Sequence, residues 1–345
     1  LGASDTIRAL EKSVISGSIR NAGGQIVTDY HGKLSAIFFD REELKTTLGQ
    51  TAPPFAYTER DNLLYKGLVT IKNGLFQIKF VLPKDINYNP APGKLSLYSL
   101  DSMNAIDASG ANLTINIGGT VTNPEEDTTP PDIELFLGDT TYIPGNTVAT
   151  NTLLLAKLYD KNGINISSTQ LGHSISATLD DSISWTLNEA FAYQTDSYTT
   201  GWVAFPMNDL TPGEHTLVLK AWDTHNNPAE QSMVFYVGPE NGISLDQFNT
   251  YPNPMTNLTT LYINQSNSGD DIEVTFRVIN SAGQQVFTET RSYFSASGVI
   301  NDWTWDGRNH TGGKLNEGIY VIGIFLRSTK SGAVNQRYNR LFITN

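Results

Sequence analysis

The run Ile272-Glu273-Val274-Thr275-Phe276-Arg277-Val278 alternates apolar and polar residues without a break. A period of two places Ile272, Val274, Phe276 and Val278 on one face, which a strand can bury and a helix cannot. The same period recurs at Phe76, Ile78, Phe80 and Leu82, at Leu261 and Ile263, and around Tyr338, Arg340 and Phe342. Turn formers stand between the runs: Pro53-Pro54, Asn73-Gly74, Pro90-Ala91-Pro92-Gly93 and Asp160-Lys161-Asn162-Gly163. Many short strands punctuated by Gly and Pro predict an all-β chain. At 345 residues it is too long for one ordinary sandwich. Three tandem immunoglobulin-like antiparallel β-sandwich domains are the expected architecture. Locally, Asn73-Gly74 predicts a type I′ hairpin over residues 67–82, and Leu10 to Lys12 a short helical turn.

The run Asn123-Pro124-Glu125-Glu126-Asp127-Thr128-Thr129-Pro130-Pro131 is the sharpest boundary. Rich in charge and proline, it predicts an extended linker over 123–131. The first sandwich then spans 1–122 and the second 132–239. A shorter linker covers 240–250, and the last sandwich covers 251–345. The charge follows these divisions. Residues 1–123 carry 11 acids and 12 bases, residues 124–239 carry 15 acids and 3 bases, and residues 240–345 carry 9 acids and 8 bases. The whole excess of −12 therefore lies in a middle third without arginine. Such a module repels phosphate backbones, so nucleic acid is not an expected partner.

There is no cysteine, which excludes disulfides, zinc–thiolate sites and a Cys nucleophile within this segment. No run approaches the roughly 18 consecutive apolar residues of a membrane helix, so the chain is expected not to span a membrane. It begins with Leu1 and has no basic-then-apolar leader, and the expectation is a fragment or mature form.

Several residue groups suggest chemistry. Asp160, Asn162, Asp180, Asp181, Asp223 and Asn226 sit at strand ends, where oxygen ligands for Ca²⁺ collect in sandwiches. Asp and Asn are also preferred turn residues, and no Asp-x-Asp-x-Asp-Gly spacing is present. The cofactor expectation is therefore none, with Asp160, Asp180 and Asp223 as the Ca²⁺ candidates. His173, His215 and His225 share a domain with many Ser and Asp residues, yet no Gly-x-Ser-x-Gly elbow is present. Asp40, Glu42 and Glu43 read as a solvated loop, and His31 as a solvent-facing turn residue. Trp185, Trp202 and Trp222 are candidates for a sugar platform, or alternatively for the core.

The last third carries the most ordered set of signals. Tyr251-Pro252-Asn253-Pro254 fixes two turns and removes two donors. Asn280-Ser281-Ala282-Gly283 is a turn, and Trp305-Asp306-Gly307-Arg308 is a corner in which Gly307 is free to take positive φ. Gly318-Ile319-Tyr320 opens an apolar central strand, and the chain closes through Arg340. About seven strands are countable here. These residues resemble the C-terminal domain of type IX secretion cargo. With Asp5-Thr6-Ile7-Arg8-Ala9-Leu10, Val81 to Tyr88, Leu153 to Leu158, Gly172-His173-Ser174-Ile175 and Gly213 to Leu217, nearly the whole chain resembles the region following the catalytic domain in the PorU family of type IX secretion sortases, which are gingipain-type cysteine peptidases.

That resemblance implies a cell-surface, outer-membrane-associated or extracellular Bacteroidetes protein. The parent of such a segment removes C-terminal signals from cargo, and the segment itself supplies scaffold and docking, with a PorV-like outer-membrane barrel and other secretion components as partners. The family's catalytic Cys and His would lie before residue 1, so no catalytic residue is carried over. Tyr251, Pro252, Asn253, Pro254, Asp306, Gly307, Arg308, Gly318, Tyr320 and Arg340 become the partner-docking candidates. The final strand from Arg340 to Asn345 is the expected open edge for strand addition. The alternative is a carbohydrate-binding or adhesive surface module.

Overall fold

The computed structural model describes residues 6–50, 53–101, 106–140, 142, 147–167, 172–238, 243–265, 268–280, 283–330 and 332–344. The architecture is all-β, in packed sheets, as the alternation predicts. The single helical element among the described residues is a 3₁₀ turn at Asn188–Ala190.

One sheet dominates. Its eight strands run, in spatial order, Ile106–Asn112, Lys94–Asp101, Gly32–Phe39, Leu63–Ile71, Phe191–Tyr193, Thr200–Met207, Thr152–Tyr159 and Asp132–Leu137. The first four strands come from the N-terminal third and the last four from the middle third. They meet where Tyr193 pairs in parallel with Gly67. Asp196 ties the seam: its N–H donates to the Leu68 carbonyl (2.9 Å), and its Oδ1 accepts from the Thr70 N–H (2.7 Å). Gly67 is required at this seam, because a Cβ there would lie 2.7 Å from Tyr65 Oη and 3.1 Å from Tyr193 Cβ. One continuous apolar core underlies this sheet, running from Ile7 through Phe38, Phe80 and Phe191 to Phe235 and Val237. The five-stranded sheet built on Gly213–Trp222 and Pro228–Val237 closes the middle module over that core.

The C-terminal module is a separate sandwich of seven strands. Leu245–Tyr251, Thr259–Gln265 and Val299–Trp305 form one sheet. Gln285–Tyr293, Ile272–Ile279, Gly318–Ser328 and Val334–Ile343 form the other. Its core holds Phe276, Trp303, Trp305, Ile322 and Ile324. Strand Gly318–Ser328 is central, as its two apolar faces predict.

Three local expectations are corrected. Asn73 and Gly74 do take positive φ (53° and 70°), but the strands they join part company. Leu63–Ile71 stays in the eight-stranded sheet, while Leu75–Val81 pairs with Lys12–Ser18. Turn chemistry thus sets the reversal and not the pairing. Leu10 has φ of 62° and links two strands, so no helical turn forms. Asp40 is buried rather than solvated, accepting from the Arg41 N–H and from Asn62 Nδ2.

Candidate functional site

The motif residues of the C-terminal module cluster at one end of it. Both X–Pro bonds, Tyr251–Pro252 and Asn253–Pro254, are cis. The Pro252 carbonyl accepts from Thr259 Oγ1. Tyr251 is 71% exposed. At the corner, Gly307 takes φ of 75°, Trp305 Nε1 donates to the Arg308 carbonyl at 3.1 Å, and Arg308 Nε pairs with Asp306 at 3.1 Å. Arg308 also donates to the Gly312 carbonyl, and the Leu315 N–H to that of Gly307. The corner is thus closed upon itself. Its half-exposed ion pair contributes at most about 1 kcal/mol. Ser281, Ala282 and Asn345 lie outside the described residues.

The expected open edge is corrected by the hydrogen bonds of the final strand, Val334–Ile343. Asn253 acts as a peptide mimic: its Nδ2 donates to the Arg340 carbonyl (2.8 Å) and its Oδ1 accepts from the Phe342 N–H (2.9 Å). The Met255 N–H donates to the Phe342 carbonyl, and the Thr344 N–H to that of Met255. The Arg340 N–H is capped by Asn339 Oδ1, and the Tyr338 carbonyl accepts from Asn208 Nδ2 of the middle module. The outward main-chain groups from the Tyr338 carbonyl to the Thr344 N–H therefore already have partners, and no row of free groups remains between them for an incoming strand.

The outer face of the same sheet is covered too. Ile279, Val321 and Tyr338 pack with Leu153, Leu155 and Ala204 in a third buried cluster, flanked by Phe136, Trp202 and Phe325. Arg337 Nη2 donates to both carboxylate oxygens of Asp209, at 3.0 and 3.1 Å. Farther along, Asn316 donates to the Lys33 carbonyl at 3.3 Å, reaching the N-terminal module. Tyr320 is buried and donates to the Asn316 carbonyl, and burial pushes its hydroxyl pKa up. Between these contacts a cleft of about 680 Å³ stays open. Gly318 and Tyr320 line it, opposite Ile37, Leu68 and Leu100. Of the docking candidates, then, Gly318, Tyr320 and Arg340 face the other modules. Tyr251 to Pro254 lie beside Arg340, to which Asn253 bonds, and Asp306 to Arg308 adjoin Leu315 at the edge of the cleft.

The three middle-module histidines are structural in their surroundings. His215 Nδ1 lies 2.7 Å from Asp180 Oδ2, and Nε2 lies 2.6 Å from the Thr211 carbonyl. Burial alone would lower its pKa, but these two acceptors raise it above the ordinary histidine value. His173 Nδ1 lies 2.7 Å from Asp85, with its ring against Trp222 (4.3 Å). His225 Nε2 faces the Glu125 carbonyl. Of the tryptophans, Trp202 joins the inter-module cluster, Trp185 packs on Phe205, and Trp222 lies between His173 and Lys220.

The Ca²⁺ candidates separate. Asp180 goes to His215, whereas Asp160 and Asp223 come together with two residues that the sequence reading did not select as ligands. Asp127, Asp223 and His225 are buried, with ligand atoms within 4.8 Å of one another. Asp160 stands beside them, and its pKa is pushed up to about 6 by burial and then by the charges of Asp223 and Asp127. Asp127 accepts from Asn162 Nδ2, the Thr129 N–H and Lys161. Asp223 accepts from the N–H groups of His225 and Asn227 and from Asn227 Nδ2, which also bonds the Asp127 carbonyl. The donor set suits a divalent cation, but amide N–H groups already serve the oxygens of Asp127 and Asp223. As it stands, the cluster fastens linker residue Asp127 to the middle module. Only its place in space, not its spacing in sequence, makes Asp127 visible.

No family model matches the chain, and no curated protein does. Among solved structures, the chain is similar to dimeric latent PorU from Porphyromonas gingivalis, with 27% identity over 98% of this chain and 32% of that one, at a TM-score of 0.44. It thus spans about a third of that protein. A tetra-tandem repeat from the extending region of a large adhesion protein aligns with 12% identity over 97% of this chain and 71% of the other, at a TM-score of 0.21. A Bacteroides ovatus glucan-utilization protein, SGBP-B, solved with a mixed-linkage heptasaccharide, aligns with 13% identity over 98% and 65%, at 0.18. All three scores lie below 0.5, so the functional reading rests on this chain's own residues.

Proposed function

We propose that this segment is the non-catalytic scaffold and docking region of a cell-surface sortase of the type IX secretion system, whose catalytic domain belongs to another part of the parent chain. The observation that carries this reading is how the C-terminal module is held. Its four-stranded sheet is clamped against the long sheet beneath, so the opposite, three-stranded sheet is directed away from the body with Tyr251 and Tyr262 exposed on it. Asn249 pairs with Tyr262 and Tyr251 with Thr260, which places both tyrosines on one face. A rigid base with an outward aromatic face suits recognition by a fixed partner, because little ordering entropy is lost on binding. The Tyr251–Pro254 turn, one of the features that resemble the secretion domain, borders this face.

In this reading the partner is a PorV-like outer-membrane barrel, and the segment holds its enzyme at the cell surface of a Bacteroidetes bacterium. Deleting residues 245–345 from the full-length parent is expected to abolish surface display. The double variant Tyr251→Ser, Tyr262→Ser leaves the core untouched and is expected to weaken display at normal protein abundance. Unchanged display of both variants overturns the docking role.

A further inference from the structure

We propose that the free edge of the eight-stranded sheet, strand Ile106–Asn112, and the apolar groove beside it receive an extended strand from a partner protein, one whose alternate side chains are large and apolar. This inference is independent of the secretion reading.

Strand Ile106–Asn112 is the outermost of its sheet and pairs on one side only, with Lys94–Asp101. Among the described residues, no hydrogen bond reaches its outward main-chain groups. Sheet edges are ordinarily blunted by charge, proline, a bulge or shortness. This one runs 7 residues in unbroken register, has no proline, and carries Asp107 as its only charge. The pairing fixes where its side chains point: Gly110 opposes Leu97, Ala108 opposes Ser99, and Ile106 opposes Asp101. Tyr30 Oη donates to Ser99 inside the core, and Leu97 and Ala108 pack against that core. Ile106, Ala108 and Gly110 thus turn to the core side. Yet Ile106 is 50% exposed, and a Cβ on Gly110 would meet nothing within 4 Å. The N-terminal module is open along this edge.

The opening is a groove of about 650 Å³, lined by Ile19, Val27, Tyr30, Phe76 and Leu97. Its two charged lining residues, Arg20 and Asp107, are of opposite sign, so the groove favours neither an anion nor a cation. A row of unpaired N–H and C=O groups is complementary to another extended main chain, and every second side chain of a strand added there points to the core side. The free edge and the groove thus call for the same ligand by separate routes. A second copy of this strand would serve poorly. It would offer the groove Ile106, Ala108 and Gly110 from one face, or Asp107, Ser109 and Ala111 from the other. Neither set is bulky enough to fill the space. The occupant is instead a strand with large aliphatic or aromatic residues at alternate positions, which completes the core from outside.

The test uses the whole 345-residue chain and dye-labelled synthetic peptides read by fluorescence anisotropy. The parent probe alternates threonine and valine and is flanked by lysine for solubility. One control replaces each valine by serine. Two others carry N-methyl groups, on the valine amides or on the threonine amides. The parent peptide is expected to bind and the serine control not to bind. Only one set of amides faces the edge, so one methylated peptide should weaken by about tenfold or more while the other binds as the parent does. Gly110→Leu fills the groove from open space and should weaken the parent peptide about tenfold with circular dichroism unchanged. Failure of the parent peptide to bind, equal binding of the two methylated forms, or binding that survives Gly110→Leu overturns the proposal. A concentration-dependent dimer in sedimentation that Gly110→Leu dissolves would make the occupant a second copy and overturn the partner strand.

Discussion

The molecule has two inter-module junctions, built on opposite principles. At the first, the N-terminal and middle modules share backbone: one sheet crosses from Gly67 to Tyr193, and one core runs beneath it. At the second, the C-terminal module keeps its own core and lies face-on against that sheet through side chains. Ladder hydrogen bonds cannot be exchanged for solvent one residue at a time without opening the core. A side-chain interface rimmed by Arg337–Asp209 and Asn208 can be weakened piecemeal. The first junction makes two modules into one folding unit, and the second joins a distinct unit to it.

Four perturbations separate the two junctions. Tyr338 is 2% exposed in the face-on cluster, and Tyr338→Ala should cost about 4 kcal/mol. Urea unfolding should then resolve into two transitions; one coincident transition would mean that the junctions are coupled. Gly67→Val strikes the shared sheet and should cost about 3 kcal/mol, through contact with Tyr65 and Tyr193. It should lower the melting of the N-terminal and middle modules together while leaving the fluorescence of Trp303 and Trp305 native; independent melting of those two modules would deny the shared unit.

The third perturbation is pH. The pKa of Asp160 is raised to about 6 in the folded chain from an ordinary 3.8. The folded state thus binds the extra proton between those values. The associated stability is full below 3.8 and is lost as pH rises through about 6, a loss of roughly 2–3 kcal/mol between pH 4 and 7. Asp160→Asn should flatten this part of the stability–pH curve, and an unaltered curve would remove Asp160 as its source. The smallest effect is expected from Asn253→Ala, which strips two bonds from the final strand at a cost of about 1–2 kcal/mol. Amide exchange at Phe342 should quicken while exchange at Tyr193 stays as it was.

Alternation made much of this fold legible. Ile272 to Val278 could only be a half-buried strand, and the apolar run after Gly318 could only be central. Pairing was harder to see, because alternation assigns faces and not neighbours. Nothing near Gly67 in sequence announces Tyr193, more than a hundred residues away. The linker composition of residues 123–131 predicted an extended segment, yet Asp127 is 8% exposed because Asn162, Asn227 and Lys161 reach it from distant turns. The last strand was expected to present an open edge because it is the last. Its partner, Asn253, lies some ninety residues upstream, and a single asparagine gives no signal that its amide will stand in for a peptide.

The clasp between residues 253–255 and the final strand has a mechanical consequence. Residue 255 bridges residue 343 in parallel, and Asn335, Arg337 and Asn339 reach the main chain of residues 243–248 alongside. The first and last segments of the module therefore lie side by side and run in the same direction. A pull applied between residue 243 and residue 344 would try to slide one segment past the other, loading the connecting bonds together instead of opening them in turn. The module is arranged to resist tension along its length.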